Sequence, residues 1–132
     1  MSEIRYDLLS SDVKDFDCGN LTINEYVEAS YFATLFQQCY AYKIMYKSVV
    51  VGYYMITLRD VALSDCTSDI SDYQLGCFGD QFPSLYINYL AIAKKYQRLK
   101  IGTCTLEKII YEARKLTDVL PIRFITLIRE TE

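Results

Sequence analysis

Histidine and tryptophan are both absent from this 132-residue chain, which also contains only two prolines and five glycines. Without an imidazole, the chain cannot build a Ser-His-Asp triad, a histidine-ligated zinc site or a histidine acid–base pair. The formal net charge of −3 gives no overall field that would attract a nucleic acid, so only a local basic patch could bind one. These absences direct attention to backbone groups, tyrosines and local charge.

The chain has five cysteines that are widely separated in the sequence: Cys18, Cys39, Cys66, Cys77 and Cys104. An odd number, no Cys-x-x-Cys pair and no signal peptide indicate free thiols in a reducing compartment, so we expect a cytoplasmic protein. We expect no metal site, because Cys66 and Cys77 would need further ligands that the sequence does not offer. No apolar run reaches the roughly 20 residues of a membrane-spanning helix, so we expect no membrane association.

Length and composition predict a single domain over residues 1–132. Apolar residues make up 52% and charged residues 23%, which is typical of a folded globular chain. Hydrophobic spacing predicts five strands, over residues 3–9, 39–46, 49–58, 85–93 and 122–128. With two helices, the order is β-α-β-β-(loop)-β-α-β, where residues 64–83 form the long loop. This is a mixed α/β sheet whose last two strands should be parallel and right-handed.

Both predicted helices present an apolar face to the sheet. Asn20 can cap the first helix through its side chain, and the second helix begins after Lys100. The two faces comprise Ile23, Tyr26, Val27, Tyr31 and Leu35 in the first helix, and Leu106, Ile109, Ile110, Ala113 and Leu116 in the second. Gly52, inside the third strand, indicates a bulge or a close approach of two backbones.

A basic turn joins the fourth strand to the second helix. It contains Lys94, Lys95, Arg98 and Lys100 with no acidic residue among them. A helix start displays unpaired backbone N–H groups and the positive end of the peptide dipole. Positive charge concentrated there, in a chain that is acidic overall, predicts an anionic ligand, most naturally a phosphate.

Two segments resemble the GNAT family of N-acetyltransferases. Residues 97–102 are similar to its pyrophosphate-binding pattern, Gln/Arg-x-x-Gly-x-Gly/Ala, with Gln97, Lys100 and Gly102 at the fixed positions. Residues 16–20, Phe-Asp-Cys-Gly-Asn, resemble the opening of a bacterial branch that includes toxin-like acetyltransferases, and residues 89–103 resemble that branch's strand-turn-helix. The resemblance runs from about Asp15 to the end of the chain and implies a GNAT-like acyl-CoA N-acyltransferase fold.

The resemblance implies that acetyl-CoA is the co-substrate and that an acetyl group passes to a primary amine of an unidentified acceptor. The fourth strand would bind the pantetheine arm, and the pyrophosphate would rest on the helix start. The implied cofactor-binding residues are Leu90, Ala91, Ile92, Gln97, Arg98, Leu99, Lys100, Ile101, Gly102 and Thr103. The implied catalytic groups are the backbone N–H of Leu90, as donor to the developing oxyanion, and Tyr89, in proton transfer.

The chain departs from the family pattern in three places. Arg98 and Lys100 stand where the family has glycine, which puts a Cβ into the phosphate cradle. Tyr89 replaces an arginine that is common in this branch, and Ala93 replaces an acid. The sequence ends at Glu132, before the helix that carries the family's proton-donating tyrosine. The resemblance therefore predicts a domain that is incomplete at its C-terminus.

Alternatives and partners stay open at this point. A CoA-binding or protein-interaction module of the same fold, without turnover, is the alternative to an enzyme. The apolar strand 122–128 has nothing after it to pair its outer edge, which predicts self-association as a symmetric dimer. The resemblance to toxins adds an antitoxin-type protein partner, and some toxin-like relatives acetylate aminoacyl-tRNA, although the net charge does not favour nucleic acid.

Overall fold

Five strands form one sheet in the computed structural model, which describes residues 3–62 and 81–127. In sheet order they are β1 (Ile4–Leu8), β2 (Tyr40–Tyr46), β3 (Val49–Ala62), β4 (Gln81–Ile92) and β5 (Phe124–Leu127). The first four strands pair antiparallel, and β5 pairs with β4 in parallel. The predicted α/β class, the order of elements and the parallel last pair are confirmed.

One helix covers each face of the sheet. α1 (Leu21–Leu35) begins at its predicted cap, where the Asn20 side chain accepts a hydrogen bond from the Ile23 N–H at 3.0 Å. α2 (Ile101–Leu116) follows a single 3₁₀ turn at Lys94–Tyr96. The α1 side of the core buries Leu9, Val13, Val27, Ala41, Met55, Tyr89 and Ala91, and the α2 side buries Tyr54, Leu85, Ile87, Ile109 and Ala113.

The predicted apolar face of α1 is partly wrong. Tyr26 and Leu35 are 50% and 58% exposed, whereas the residues that α1 buries are Asn24, Val27, Ser30 and Thr34. Apolar periodicity assigns polar residues to solvent, but a polar side chain can be buried when a hydrogen bond in the fold offsets the loss of its hydration. The predicted face of α2 is confirmed at Ile109 and Ala113, both nearly fully buried, whereas Leu116 is 37% exposed.

The central hairpin is confirmed, together with the close approach at Gly52. Lys47 and Ser48 turn the chain between β2 and β3 with φ of 50° and 67°. A Cβ at Gly52 would lie 2.4 Å from the carbonyl oxygen of Ala91, so only glycine fits between β3 and β4 there. A register shift between Ile44 and Met45 lies directly opposite.

Several predictions fall outside the described residues. They are most of the predicted loop at 64–83, the end of the last strand at Ile128, and the cysteines Cys66 and Cys77. Residues 81–83 of that loop belong to β4, which begins earlier than predicted, and β3 runs on to Ala62. The three cysteines inside the described ranges, Cys18, Cys39 and Cys104, are free thiols.

Candidate functional site

A β-bulge interrupts β4 at Asn88. Met55 on β3 pairs with Tyr89, and its neighbour Ile56 pairs with Ile87, so Asn88 is an extra residue on β4. The bulge shifts the alternation of side chains: Asn88 and Tyr89 both border a cavity on the α1 side of the sheet. Leu90, the next residue, packs on the α2 side.

The backbone of Leu90 faces the open side of β4. The Ala93 N–H donates to the Val51 carbonyl at 2.8 Å, and hydrogen-bonded positions alternate along an antiparallel pair. The N–H and C=O groups of Leu90 and Ile92 therefore point away from β3. Within the described residues, β5 pairs with β4 from Ser84 to Ile87 only, so the Leu90 backbone groups have no partner strand there. An extended ligand can add to this edge as a strand.

Gln97 fixes the basic turn to both neighbouring segments. Its side-chain Nε2 donates to the carbonyl of Cys18 at 2.8 Å and to the carbonyl of Ile92 at 2.9 Å. The Lys94 N–H donates to the Asp17 carbonyl at 3.1 Å, and the Lys94 Nζ lies 3.4 Å from an Asp17 carboxylate oxygen. The two segments that resemble the GNAT family are therefore in direct contact, since residues 17–18 support the turn.

Asp17 is in turn held by α1. Its Oδ1 accepts hydrogen bonds from the Gly19 N–H at 2.8 Å and from the Asn24 side-chain amide at 3.1 Å. The Asn24 oxygen accepts from the Cys18 N–H at 3.0 Å. The Gly19 and Asn24 hydrogen bonds, with a smaller effect of Lys94, hold the pKa of Asp17 below its ordinary value. Asp17 is therefore a carboxylate that pairs with Lys94. The sequence alone predicts Lys94 to be one of the cations of the turn that have no acidic neighbour, and this pairing corrects that prediction.

Arg98 and Lys100 adopt the left-handed backbone conformation, with φ of 70° and 65°. This region favours glycine and costs other residues about 1–2 kcal/mol each. The loop thus has the conformation that glycine would give, although both residues carry a Cβ. Neither side chain has an ion-pair partner within the described ranges, so both charges are available to a ligand.

The start of α2 has no side-chain cap at Lys100, and its first turn contains no acidic residue. A Cβ at Gly102 would meet only Ile92 Cγ1, at 3.9 Å, so packing does not require glycine there. Glycine inside a helix costs about 1 kcal/mol relative to alanine. The space left above Gly102 lets an anion approach the N–H groups closely, which fits a phosphate.

The ten residues predicted to bind the cofactor lie at the end of β4, residues 90–92, and in the turn and first residues of α2, residues 97–103. Ala91 and Ile101 are buried in the core, so only their backbone groups can reach a ligand. Leu90, Ile92 and Gly102 are half-buried. The exposed residues among these ten are Gln97, Arg98, Leu99, Lys100 and Thr103.

The Tyr89 side chain is buried in the core, whereas a catalytic base must reach the substrate. Its side chain is 2% exposed and its hydroxyl is hydrogen-bonded to Ser30. Because the Ser30 hydroxyl donates to the Tyr26 carbonyl at 2.8 Å, Tyr89 is the donor to Ser30. Burial raises the pKa of Tyr89, so the phenol stays neutral at physiological pH. Its role in proton transfer stays a prediction.

A cavity of about 300 Å³ lies beside the bulge, between α1 and the sheet. Its walls are Tyr26, Ala29, Ala33, Met55, Arg59, Tyr86, Asn88 and Tyr89. The Arg59 guanidinium carbon lies 4.3 Å from the centre of the Tyr86 ring, a cation–π contact. Sequence reasoning missed Arg59, because its place beside the bulge depends on how β3 and β4 pair.

Within residues 3–62 and 81–127, no three cysteine, aspartate or glutamate side chains are grouped to hold a metal ion. No helix there has both the length and the apolar content needed to cross a lipid bilayer.

Solved structures match this fold over nearly the whole chain. A mutant of KacT gives a TM-score of 0.84 at 17% identity, covering 98% of this chain and 80% of KacT. AtaT in complex with acetyl-methionyl-tRNAfMet gives 0.81 at 17% identity, covering 98% and 79%. AtaTR bound with acetyl-CoA gives 0.78 at 17% identity, covering 100% and 80%. No protein-family model matches the sequence, and no curated protein matches it in sequence.

The chain therefore has the GNAT-like fold of these toxin acetyltransferases. At such low identity the likeness concerns the fold, and it confirms at that level the resemblance carried by residues 16–20 and 89–103.

Proposed function

We propose that this protein is an acetyl-CoA-dependent N-acetyltransferase. The observation that carries the proposal is the outward-facing backbone of Leu90, beside an uncapped helix start that bears the unpaired cations Arg98 and Lys100. Acetyl-CoA has a thioester on a long amide-containing arm and a pyrophosphate, so its binding needs both a strand edge and an anion site. AtaTR, which shares the fold, was solved with acetyl-CoA.

The backbone and side chains divide the binding of acetyl-CoA between them. The open edge of β4 hydrogen-bonds the amides of the pantetheine arm, and the N–H groups from Arg98 to Thr103 receive the pyrophosphate. Arg98 and Lys100 add charge-assisted hydrogen bonds to phosphate oxygens. The Leu90 N–H donates to the thioester carbonyl oxygen, which gains negative charge as an amine attacks.

The acceptor amine enters from the cavity on the α1 side. The cavity borders the bulge at Asn88, two residues before Leu90, so an amine bound there lies beside the thioester carbon. Holding both reactants in this geometry supplies much of the rate enhancement without a covalent enzyme intermediate. AtaT was solved with acetyl-methionyl-tRNAfMet, which makes an aminoacyl-tRNA the first acceptor to test. The exposed Arg59, at the cavity wall, would face the nucleic acid.

Calorimetric titration with acetyl-CoA tests the cofactor site. The double variant Arg98→Glu/Lys100→Glu should bind at least roughly 100-fold more weakly, because hydrogen bonds to charged groups contribute about 1.5–3 kcal/mol each. Its affinity should also depend less on salt. The matched control is Arg114→Glu/Lys115→Glu, which changes the net charge equally at the other end of α2. Equal affinity of the Arg98/Lys100 double variant and wild type would contradict the proposal.

Turnover is a separate question from binding. A thiol-release assay with acetyl-CoA, methionyl-tRNA and small primary amines measures it directly. Thiol release that requires the amine supports the enzyme, whereas tight acetyl-CoA binding with no release supports the alternative, a CoA-binding module without turnover. The Tyr89 phenol favours neither the enzyme nor the binding module, because it is buried and its hydroxyl is hydrogen-bonded to Ser30.

Self-association is the second proposal, because β5 presents Ile125 and Leu127 at 39% and 46% exposure. Exposed apolar side chains on an edge strand favour pairing with a second chain. We expect light scattering to show a dimer at tens of micromolar, and Ile125→Lys to convert it to the 15.4 kDa monomer. A monomeric wild type would exclude this interface; an antitoxin-type partner stays a prediction.

A further inference from the structure

The outer face of α1 carries a row of side chains at the spacing of a coiled coil. Leu21, Glu25, Glu28, Phe32 and Leu35 follow one another at intervals that alternate between four and three residues, and all five are exposed. With about 3.6 residues per turn, this alternation keeps them on one side of a helix. These five residues, called the α1 stripe below, run the length of α1 on the side away from the sheet.

The apolar members of the α1 stripe lie towards its two ends. Leu21 is 81% exposed, and Phe32 and Leu35 are more than half exposed, as is the adjoining Phe36. A helix at a protein surface normally turns polar residues to solvent, and apolar side chains grouped on its outer face mark a contact with another molecule. The alternating spacing fits a second helix, whose side chains pack between those of the stripe.

The middle of the α1 stripe is acidic. Glu25 and Glu28 have no ion-pair partner within the described residues, and the sequence contains no lysine or arginine from Asp15 to Tyr42. A helix that packs along the stripe places its own middle positions against these carboxylates. Lysine or arginine at those positions complements the charges, whereas apolar residues would bury them unpaired and acidic residues would repel them.

A second copy of this chain does not meet that requirement. Two α1 helices packed in register, in either relative direction, would bring the Glu28 carboxylates of both copies together, with no cation on α1 to pair with them. Like charges that face each other in an interface oppose association. Nucleic acids and anionic lipid surfaces are disfavoured for the same reason. The charge of the stripe therefore favours a cationic protein segment.

We propose that the α1 stripe is a docking surface for a helix of another protein, one with apolar residues towards its ends and lysine or arginine in the middle of the contact. The apolar ends supply the buried area, and the central charges supply specificity. The stripe shares no residue with β5 or with residues 90–103. The inference therefore does not depend on the proposed acetyltransferase function.

The test uses synthetic helical peptides of the same length as α1. The basic peptide has leucine, lysine, lysine, leucine and leucine at its five stripe positions, alanine and glutamine elsewhere, and a hydrocarbon staple on its far side, because short isolated helices are marginal in water. Its reversed sequence serves for antiparallel docking. The acidic control peptide has glutamate in place of both lysines. NMR chemical-shift titration of labelled protein measures the affinity and locates the contact.

We expect wild type to bind the basic peptide, in one of its two orders, at least about tenfold more tightly than the acidic peptide, with the largest shifts in α1. Glu25→Lys/Glu28→Lys should reverse this preference, because both central charges change sign. The matched control, Glu107→Lys/Asp118→Lys, changes the net charge equally at exposed positions of α2 and its C-terminal end, and should keep the wild-type preference. Added salt should reduce the preference.

The apolar ends are tested by Leu21→Ser/Phe32→Ser. This variant should bind the basic peptide more weakly and unfold at the same temperature as wild type, because both side chains are exposed. Equal affinity of wild type for the basic and acidic peptides, no binding of either at millimolar concentration, or a preference that Glu25→Lys/Glu28→Lys leaves unchanged would overturn the inference. A wild-type dimer that Leu21→Ser/Phe32→Ser converts to monomer in light scattering would also overturn it, by assigning the stripe to a second copy.

Discussion

The two helices cover opposite faces of one sheet in different ways. α2 buries Ile101, Thr105, Ile109 and Ala113, a regular stripe in which only Thr105 is polar. α1 buries Asn24, Ser30 and Thr34 around a single apolar residue, Val27. It leaves Phe32 and Leu35 more than half exposed. Apolar periodicity alone would bury Tyr26 and Leu35, which are exposed, and would leave the three buried polar residues of α1 to solvent.

Each buried polar residue of α1 holds a different part of the molecule. Asn24 bonds residues 17–18, which support the basic turn. Ser30 bonds Tyr89 in the wall of the cavity beside the bulge. Thr34 accepts from the Ala41 N–H at 2.9 Å, at the start of β2. We infer that α2 mainly stabilises the sheet, whereas α1 positions residues 17–18, Tyr89 and the start of β2 around the candidate site.

The largest effect should come from the core of α2. Ile109→Ala removes a side chain that is 2% exposed, and we expect the free energy of unfolding to fall by about 2–5 kcal/mol in urea denaturation. The affinity for acetyl-CoA should change little in the protein that remains folded, because Ile109 lies two turns from the helix start. A loss of affinity for acetyl-CoA as large as that of the Arg98/Lys100 double variant would contradict the separate roles of the two helices.

Asn24→Ala should have an intermediate effect on stability and a specific effect on binding. It leaves the Cys18 N–H unpaired, so we expect a loss of about 1–3 kcal/mol. Acetyl-CoA should also bind more weakly by calorimetry, because Cys18 and Asp17 anchor Gln97 and Lys94.

Thr34→Val is the matched control for Asn24→Ala, since it removes a buried hydrogen bond at the opposite end of α1. It should lower stability comparably and leave acetyl-CoA binding unchanged. Equal effects of the two variants on binding would show that α1 acts only as packing.

The smallest effect should come from the outer face of α1. Phe32→Ser changes a side chain that is 56% exposed, so we expect the free energy of unfolding to change by no more than about 0.5 kcal/mol. The measurement is again urea denaturation. A loss near that of Ile109→Ala would mean that this face is covered in solution.

Local signals were sufficient for most of the fold. The Asn20 cap and the Lys47-Ser48 turn are properties of neighbouring residues, and each was found where predicted, as was the apolar stripe of α2 at Ile109 and Ala113. The basic turn could also be identified, because clustered charge at a helix start is visible in sequence. Its pairing of Lys94 with Asp17 could not, since the partner is 77 residues away and arrives by folding.

The sequence by itself determined the order of elements and the position of the basic turn before α2, because hydrophobic period, capping and charge are local. Only the tertiary structure decided that β4 bulges at Asn88 and that the Leu90 backbone faces away from β3. It also decided that Arg98 and Lys100 adopt the left-handed backbone conformation, which glycine favours. Those features follow from strand register and from contacts between distant segments. The stability of each feature depends on which groups meet in the folded chain, and residues that are neighbours in sequence do not determine that.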